Sequence, residues 1–123
     1  MYKVKIGSDG GKTCHVVISG LVEKSLSTPE PILLFEALGG KPTKLRIDGV
    51  QFAIQEKMGF NLWWIMDDQT VELIMPLESR GGFDFEKIIP LHSLDGAIGM
   101  AISSFKVTDP KMSFMIMLDM TKQ

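Results

Sequence analysis

Between Phe60 and Met66 the chain reads Phe-Asn-Leu-Trp-Trp-Ile-Met, and large apolar side chains occupy both alternating positions. Successive residues of a strand point to opposite faces, so this strand must be covered on both sides. It lies at the centre of a near-unbroken series of short apolar segments running from Thr43 to Gln123. A chain that places both of its tryptophans there is built to pack and to associate.

The strand reading extends along the chain. Tyr2, Val4 and Ile6 alternate with Lys3 and Lys5, and Cys14 to Ser19 is β-branched and apolar, continuing past Gly20 to Ser27. Thr28-Pro-Glu-Pro31 reads as a loop, because two prolines exclude a central strand. Ile32 to Leu38 fits a helix or a buried strand, with strand preferred. The apolar phase jumps by one residue between Ile47 and Val50, at Asp48-Gly49. A two-residue hairpin or a bulge in one long strand explains that jump.

Val71, Leu73, Met75 and Leu77 form one face of a strand against Glu72 and Glu78. Phe83 and Phe85 share a face, and a short segment from Ile88 to Leu91 is broken by Pro90. Ile98 to Phe105 reads as a strand, although its glycines could open a helix. In the last strand Met112, Phe114, Ile116, Leu118 and Met120 share one face, and Met115 and Met117 occupy the other. The expected fold is all-β: a single antiparallel sandwich or barrel of about eight strands over residues 1–123.

Composition narrows the function classes. The chain has 123 residues, 45% apolar and 23% charged, with net charge −2. Residues 1–60 carry eight Lys/Arg and six Asp/Glu, and residues 61–123 carry five and nine. Neither half offers the basic face that a phosphate backbone requires, so no nucleic-acid partner is expected. One cysteine excludes an intrachain disulfide. The N-terminus lacks a signal-peptide pattern, and no stretch approaches the roughly 20 apolar residues of a membrane span. A reducing cytoplasm is the expected place of synthesis. Nine methionines fill core gaps, and some suit an adaptable interface.

No catalytic constellation is expected. Cys14 and His15 are adjacent on a strand, so they face opposite ways and cannot form a nucleophile–base dyad. Asp67, Asp68 and Glu72 cluster at a turn, yet match no calcium loop, and two distant histidines with one cysteine supply no zinc site. The Gly-Gly pairs at 10–11, 39–40 and 81–82 open no helix and precede no Lys-Ser/Thr, so they read as turns. Trp63 and Trp64 could stack a sugar or base, but they point to opposite faces: Trp64 joins Phe60, Leu62 and Met66 in the core, while Trp63 joins Asn61 and Ile65 on a face left for a loop or a partner. Catalytic residues, metal and cofactors are accordingly none.

From Lys44 to Gln123 the chain resembles small structural proteins of tailed-phage virions. The matching pieces are Ile47 to Ile54, Leu62-Trp-Trp-Ile-Met-Asp-Asp68, Val71 to Leu77, Gly82-Phe-Asp-Phe85, Ser93 to Ile98 and Ile116-Met-Leu-Asp-Met-Thr-Lys122. The chain departs from the pattern where Ile65-Met66 displaces the acid after Trp-Trp and where Glu86-Lys-Ile-Ile-Pro90 replaces a Gly-Gly-aliphatic run. Residues 1–43 lie outside it. In that pattern the strand through Gly49 is continuous, which favours the bulge.

The resemblance implies a non-enzymatic virion protein, a capsid decoration (cement) protein made in the host cytoplasm. It would bind the major capsid protein or other virion proteins and self-associate. Trp63, Ile65, Phe83, Met115 and Met117 are the interface candidates. The alternatives are a neck or tail component, or a β-barrel module binding a small ligand or a host protein.

Overall fold

The structure is a computed structural model, and it describes residues 2–7, 11–22, 28–54, 58–78, 80–84, 91–105 and 112–123. Among the described residues, ten strands form two antiparallel sheets. They are β1 (Tyr2–Gly7), β2 (Thr13–Val22), β3 (Glu30–Leu34), β4 (Leu45–Ile54), β5 (Gly59–Met66), β6 (Val71–Glu78), β7 (Arg80–Asp84), β8 (Leu91–His92), β9 (Ala97–Phe105) and β10 (Met112–Lys122). The larger sheet runs β1-β2-β10-β4-β7, with β8 also paired to β4, and the smaller runs β3-β9-β5-β6. Without β1 and β8, the pairs β5–β6, β4–β7, β3–β9 and β2–β10 nest inside one another. This is one long antiparallel ribbon rolled into two layers, the jelly-roll form of a sandwich. The expected all-β sandwich is therefore what the chain forms.

Alternation fills the core. Val16 and Ile18 of β2, Ile47 and Val50 of β4, and Ile116 and Leu118 of β10 are fully buried from one sheet. Phe60, Leu62 and Trp64 of β5 with Met100 and Ile102 of β9 meet them from the other. Phe60 and Phe114 pack with ring centroids 4.3 Å apart, and the Tyr2 ring stands edge-on to Phe114 at 5.3 Å. Burial raises the pKa of the Tyr2 hydroxyl and the negative charge of Glu30 adds to the rise, while a hydrogen bond with Ser104 partly offsets them.

The phase jump at Asp48-Gly49 is a bulge in one continuous strand. Asp119 of β10 pairs with Gly49 and Met120 pairs with Ile47, which leaves Asp48 as the extra residue. Its carboxylate accepts from Arg46 Nε at 2.6 Å and from Thr121 Oγ1 at 2.5 Å. The bulge therefore has its own polar clamp, and Leu45 and Ile47 stay on the buried face with Val50 and Ile54.

Several expectations are corrected. Pro31 lies within β3, tolerated because β3 is an edge strand whose register shifts between Pro31 and Leu33. The segment Ile32–Leu38 is not one strand: β3 ends at Leu34, and a 3-10 turn at Phe35–Ala37 buries Phe35. Gly81-Gly82 is not a turn but part of β7, paired with Phe52 and Gln51. A Cβ on Gly81 would lie 3.2 Å from the Phe52 ring, so glycine leaves room for that ring over β7. Gly39-Gly40 does form a turn, and Gly40 has φ +78°. β2 is described to Val22, β9 is a strand as expected, and the expectations for residues 23–27, Phe85 and 88–90 lie outside the described residues.

Candidate functional site: the outer face of the four-stranded sheet

The two tryptophans separate as alternation requires. Trp64 is 2% exposed and meets Phe35 edge-on at a centroid distance of 6.2 Å, whereas Trp63 points outward and is half-buried. Trp63 Nε1 donates to Ser103 Oγ at 2.8 Å, one strand away. The indole therefore lies across β9, which fits the near-complete burial of outward-facing Ala101 and Ser103.

The strand registers define the rest of this face. One row crosses Leu34, Gly99, Ile65 and Val71, and the next crosses Pro31, Ala101, Trp63 and Leu73. Both rows are apolar across all four strands. β9 contributes the small residues, and its neighbours carry the large ones, so the face is a shallow trough. A Cβ on Gly99 would come within 2.7 Å of the Leu33 carbonyl oxygen and 2.9 Å of the Leu34 side chain. An exposed sheet face ordinarily alternates with polar residues outward. Here Leu34, Leu73 and Ile98 are 38%, 51% and 44% exposed.

Leu73 arrives there through a second bulge. Leu62 pairs with Met75 and Trp63 with Leu73, so Ile74 is the extra residue on β6. Met75 and Leu77 face inward, while Val71 and Leu73 turn outward. This corrects the expectation that Val71, Leu73, Met75 and Leu77 share one face. The sequence signal was Leu73-Ile74-Met75, three apolar residues in a row where strict alternation would place a polar one. Leu34 and Ile98 also went unread: Leu34 ends a strand whose limits the prolines obscured, and Ile98 is the extra residue where β9 shifts register against β5.

The face adjoins a surface cleft of about 560 Å³ between the 35–44 loop and the turn at Asp67, lined by Leu34, Lys41, Pro42, Asp67, Ala97 and Ile98 among others. At the 67–70 turn, Asp68 Oδ1 accepts from the Thr70 amide at 3.0 Å and from Thr70 Oγ1 at 2.5 Å, which lowers the Asp68 pKa. Asp67 instead lies against Gly96. The turn acids thus diverge, and no group of three His, Cys, Asp or Glu able to hold a metal ion occurs among the described residues.

The other interface candidates lie elsewhere. Met115 and Met117 face outward from the six-stranded sheet, Met115 38% exposed and Met117 half-buried. They are on the opposite side of the sandwich from Trp63 and Ile65, so the structure does not bring the two pairs together. Phe83 pairs with Val50 along the backbone of β7, and its side chain lies outside the described residues. Cys14 is buried, while His15 faces outward beside Asp119, its cross-strand neighbour on β10.

No protein-family model matches the chain, and no curated protein matches it. Among solved structures it is similar to Peruvianin-I, a cysteine peptidase from Thevetia peruviana latex, with 11% identity and a TM-score of 0.37. It is also similar to the Clostridium thermocellum endo-1,4-beta-D-xylanase 10B CBM22-1-GH10 modules, with 13% identity and a TM-score of 0.43. The alignments cover 95% and 98% of this chain but only 60% and 24% of those chains.

Proposed function

We propose that this chain is a non-enzymatic structural protein of tailed-phage virions, a head decoration protein that holds neighbouring shell proteins together by face-to-face burial. The observation that supports this reading is the two-row apolar trough spanning β3, β9, β5 and β6. A sandwich needs only one apolar face per sheet to fold, so a second one is surplus to folding and suits a protein partner. The likeness of residues 44–123 to virion proteins points to the same class of partner, and a protein of net charge −2 suits the outside of a shell better than its packaged DNA.

Co-sedimentation with assembled phage heads lacking the chain tests the reading. The chain is expected to pellet with heads, and Trp63→Ala to reduce the pelleted fraction while leaving the fold intact. A chain that stays in the supernatant at saturating concentration overturns it.

The cleft beside Leu34 and Ile98 favours a second reading, a module for a small ligand. Its volume exceeds the roughly 300 Å³ at which ligand pockets begin. A small ligand bound there stabilises the folded state by mass action and raises Tm, with or without phage heads. Heads and ligand thus give separate readouts.

A further inference from the structure

The two sheets have four edges, and three of them are blunted. β3 carries Pro31 and a register shift, β6 carries Pro76 and the bulge at Ile74, and the β7–β8 edge is made of strands of five and two residues. Prolines, bulges and short strands keep an edge from recruiting another strand. β1 has none of these devices. It pairs with β2 residue for residue, from Tyr2↔Gly20 to Gly7↔His15, without a register shift. Its other side carries no strand among the described residues.

The side chains of β1 are equally uncommitted. Lys3 and Lys5 share the outer side with Ser19 and Val17, are exposed, and make no ion pair among the described residues. Val4 shares the inner side with its partner Ile18, yet Val4 is 38% exposed where Ile18 is fully buried. Ile6, next along that side, is half-buried. β1 therefore overhangs the core, with apolar surface on one side of an open backbone edge and two cations on the other.

We propose that the free edge of β1 accepts an extended segment of another protein as an additional strand, one in which acidic residues alternate with aliphatic ones. The amides and carbonyls of an edge bind any strand, so the side chains choose the occupant. Acids two positions apart meet Lys3 and Lys5 on the outer side, and the aliphatic residues between them cover Val4 and Ile6. Opposite charges directly across a strand pair are favourable, and like charges are unfavourable. The same rule disfavours a second copy of this chain. Antiparallel pairing of two β1 edges about a two-fold axis keeps outer side chains with outer ones, and its longest registers set Lys5 against Lys3 or against another Lys5. The site belongs to the six-stranded sheet and does not use the trough.

Amide hydrogen exchange followed by NMR tests this, with a short synthetic peptide alternating glutamate and valine as the probe. The β1 amides that point away from β2 exchange readily in the chain alone and should become protected as the peptide is added, while the Trp63 indole N–H signal stays in place. Combining Lys3→Glu with Lys5→Glu alters only exposed side chains, so the fold should persist. That variant should bind the peptide roughly tenfold more weakly and should take a peptide alternating lysine and valine instead. A peptide of the same composition with its glutamates and valines in two blocks should protect nothing in the wild type. If the double variant fails to fold, the three peptides on the wild-type chain still decide the matter. Unprotected β1 amides at the highest soluble concentration of the glutamate–valine peptide overturn the proposal. Equal protection by the block peptide or the lysine–valine peptide also overturns it, since the side chains then choose nothing. Protection that grows with the concentration of the chain alone overturns it too, because the occupant is then a second copy.

Discussion

Replacing each tryptophan by alanine separates the inner and outer faces of β5 in one experiment. Trp64 is 2% exposed. A fully buried aromatic removes roughly 200 Å² from water, worth about 5 kcal/mol at about 25 cal/mol/Å² as an upper figure. Truncations of buried aromatics in other cores cost about 3–5 kcal/mol. The cavity would lie beside Phe35, which would lose its edge-on partner. For a domain of this size each kcal/mol moves Tm by about 4 °C, so Trp64→Ala should melt roughly 12–20 °C below the wild type. Trp63 faces outward and is only partly exposed, and it gives up one hydrogen bond, to Ser103 at 2.8 Å. That bond contributes about 1 kcal/mol, and the uncovered serine hydroxyl can hydrate, so the total loss should be about 1–3 kcal/mol. Thermal melting by circular dichroism reads both variants. If Trp63→Ala melts lower than Trp64→Ala, the assignment of faces is inverted and the trough is not an outer surface.

Gly99→Ala should destabilise by about 1–3 kcal/mol, because its Cβ meets the Leu33 backbone oxygen at 2.7 Å. Gly59→Ala should cost less, since the obstacle there is the tip of the Phe105 ring, and urea midpoints rank the two. Tyr2 is the only tyrosine, so tyrosinate absorbance follows it alone and should report a midpoint above the ordinary 10.0. The folded state binds that proton more tightly than the unfolded chain does. Its contribution is therefore full below the unfolded pKa and lost as pH rises past it toward the folded one, and Tyr2→Phe should remove that part of the alkaline loss. Cys14→Ala and His15→Ala should leave head binding unchanged apart from any packing loss at Cys14; a binding defect at unchanged Tm would assign the pair a role.

The features legible in the sequence were those that alternation alone decides. Trp64 in the core, Trp63 outside, the opposed Cys14 and His15, and the phase jump at Asp48-Gly49 all follow from counting positions by two. The choice of a bulge over a hairpin at that jump came from the resemblance of residues 44–123. What the sequence hid was register. The apolar run Leu73-Ile74-Met75 breaks alternation without saying which residue is the extra one, yet the insertion of Ile74 turns Val71 and Leu73 from core to surface and completes the trough. Pro31 was misread because edge position, which tolerates proline, is a property of the sheet and not of the segment. Leu34 and Ile98 become neighbours of the trough only through the pairing of β3 with β9 and of β9 with β5, strands far apart in sequence. The placement of Met115 and Met117 on the opposite layer likewise depends on strand order, which composition and periodicity do not carry.

The claim at the centre of this account is that the trough around Trp63 becomes buried when the chain meets its protein partner. Trp64→Phe leaves Trp63 as the only tryptophan with its outward position unchanged. Acrylamide quenching of that single emission, measured on the free chain and on phage heads at saturation, reads its exposure directly. The account predicts a blue-shifted emission and clearly weaker quenching in the bound state. Binding that leaves both the emission maximum and the quenching constant at their free values would contradict it.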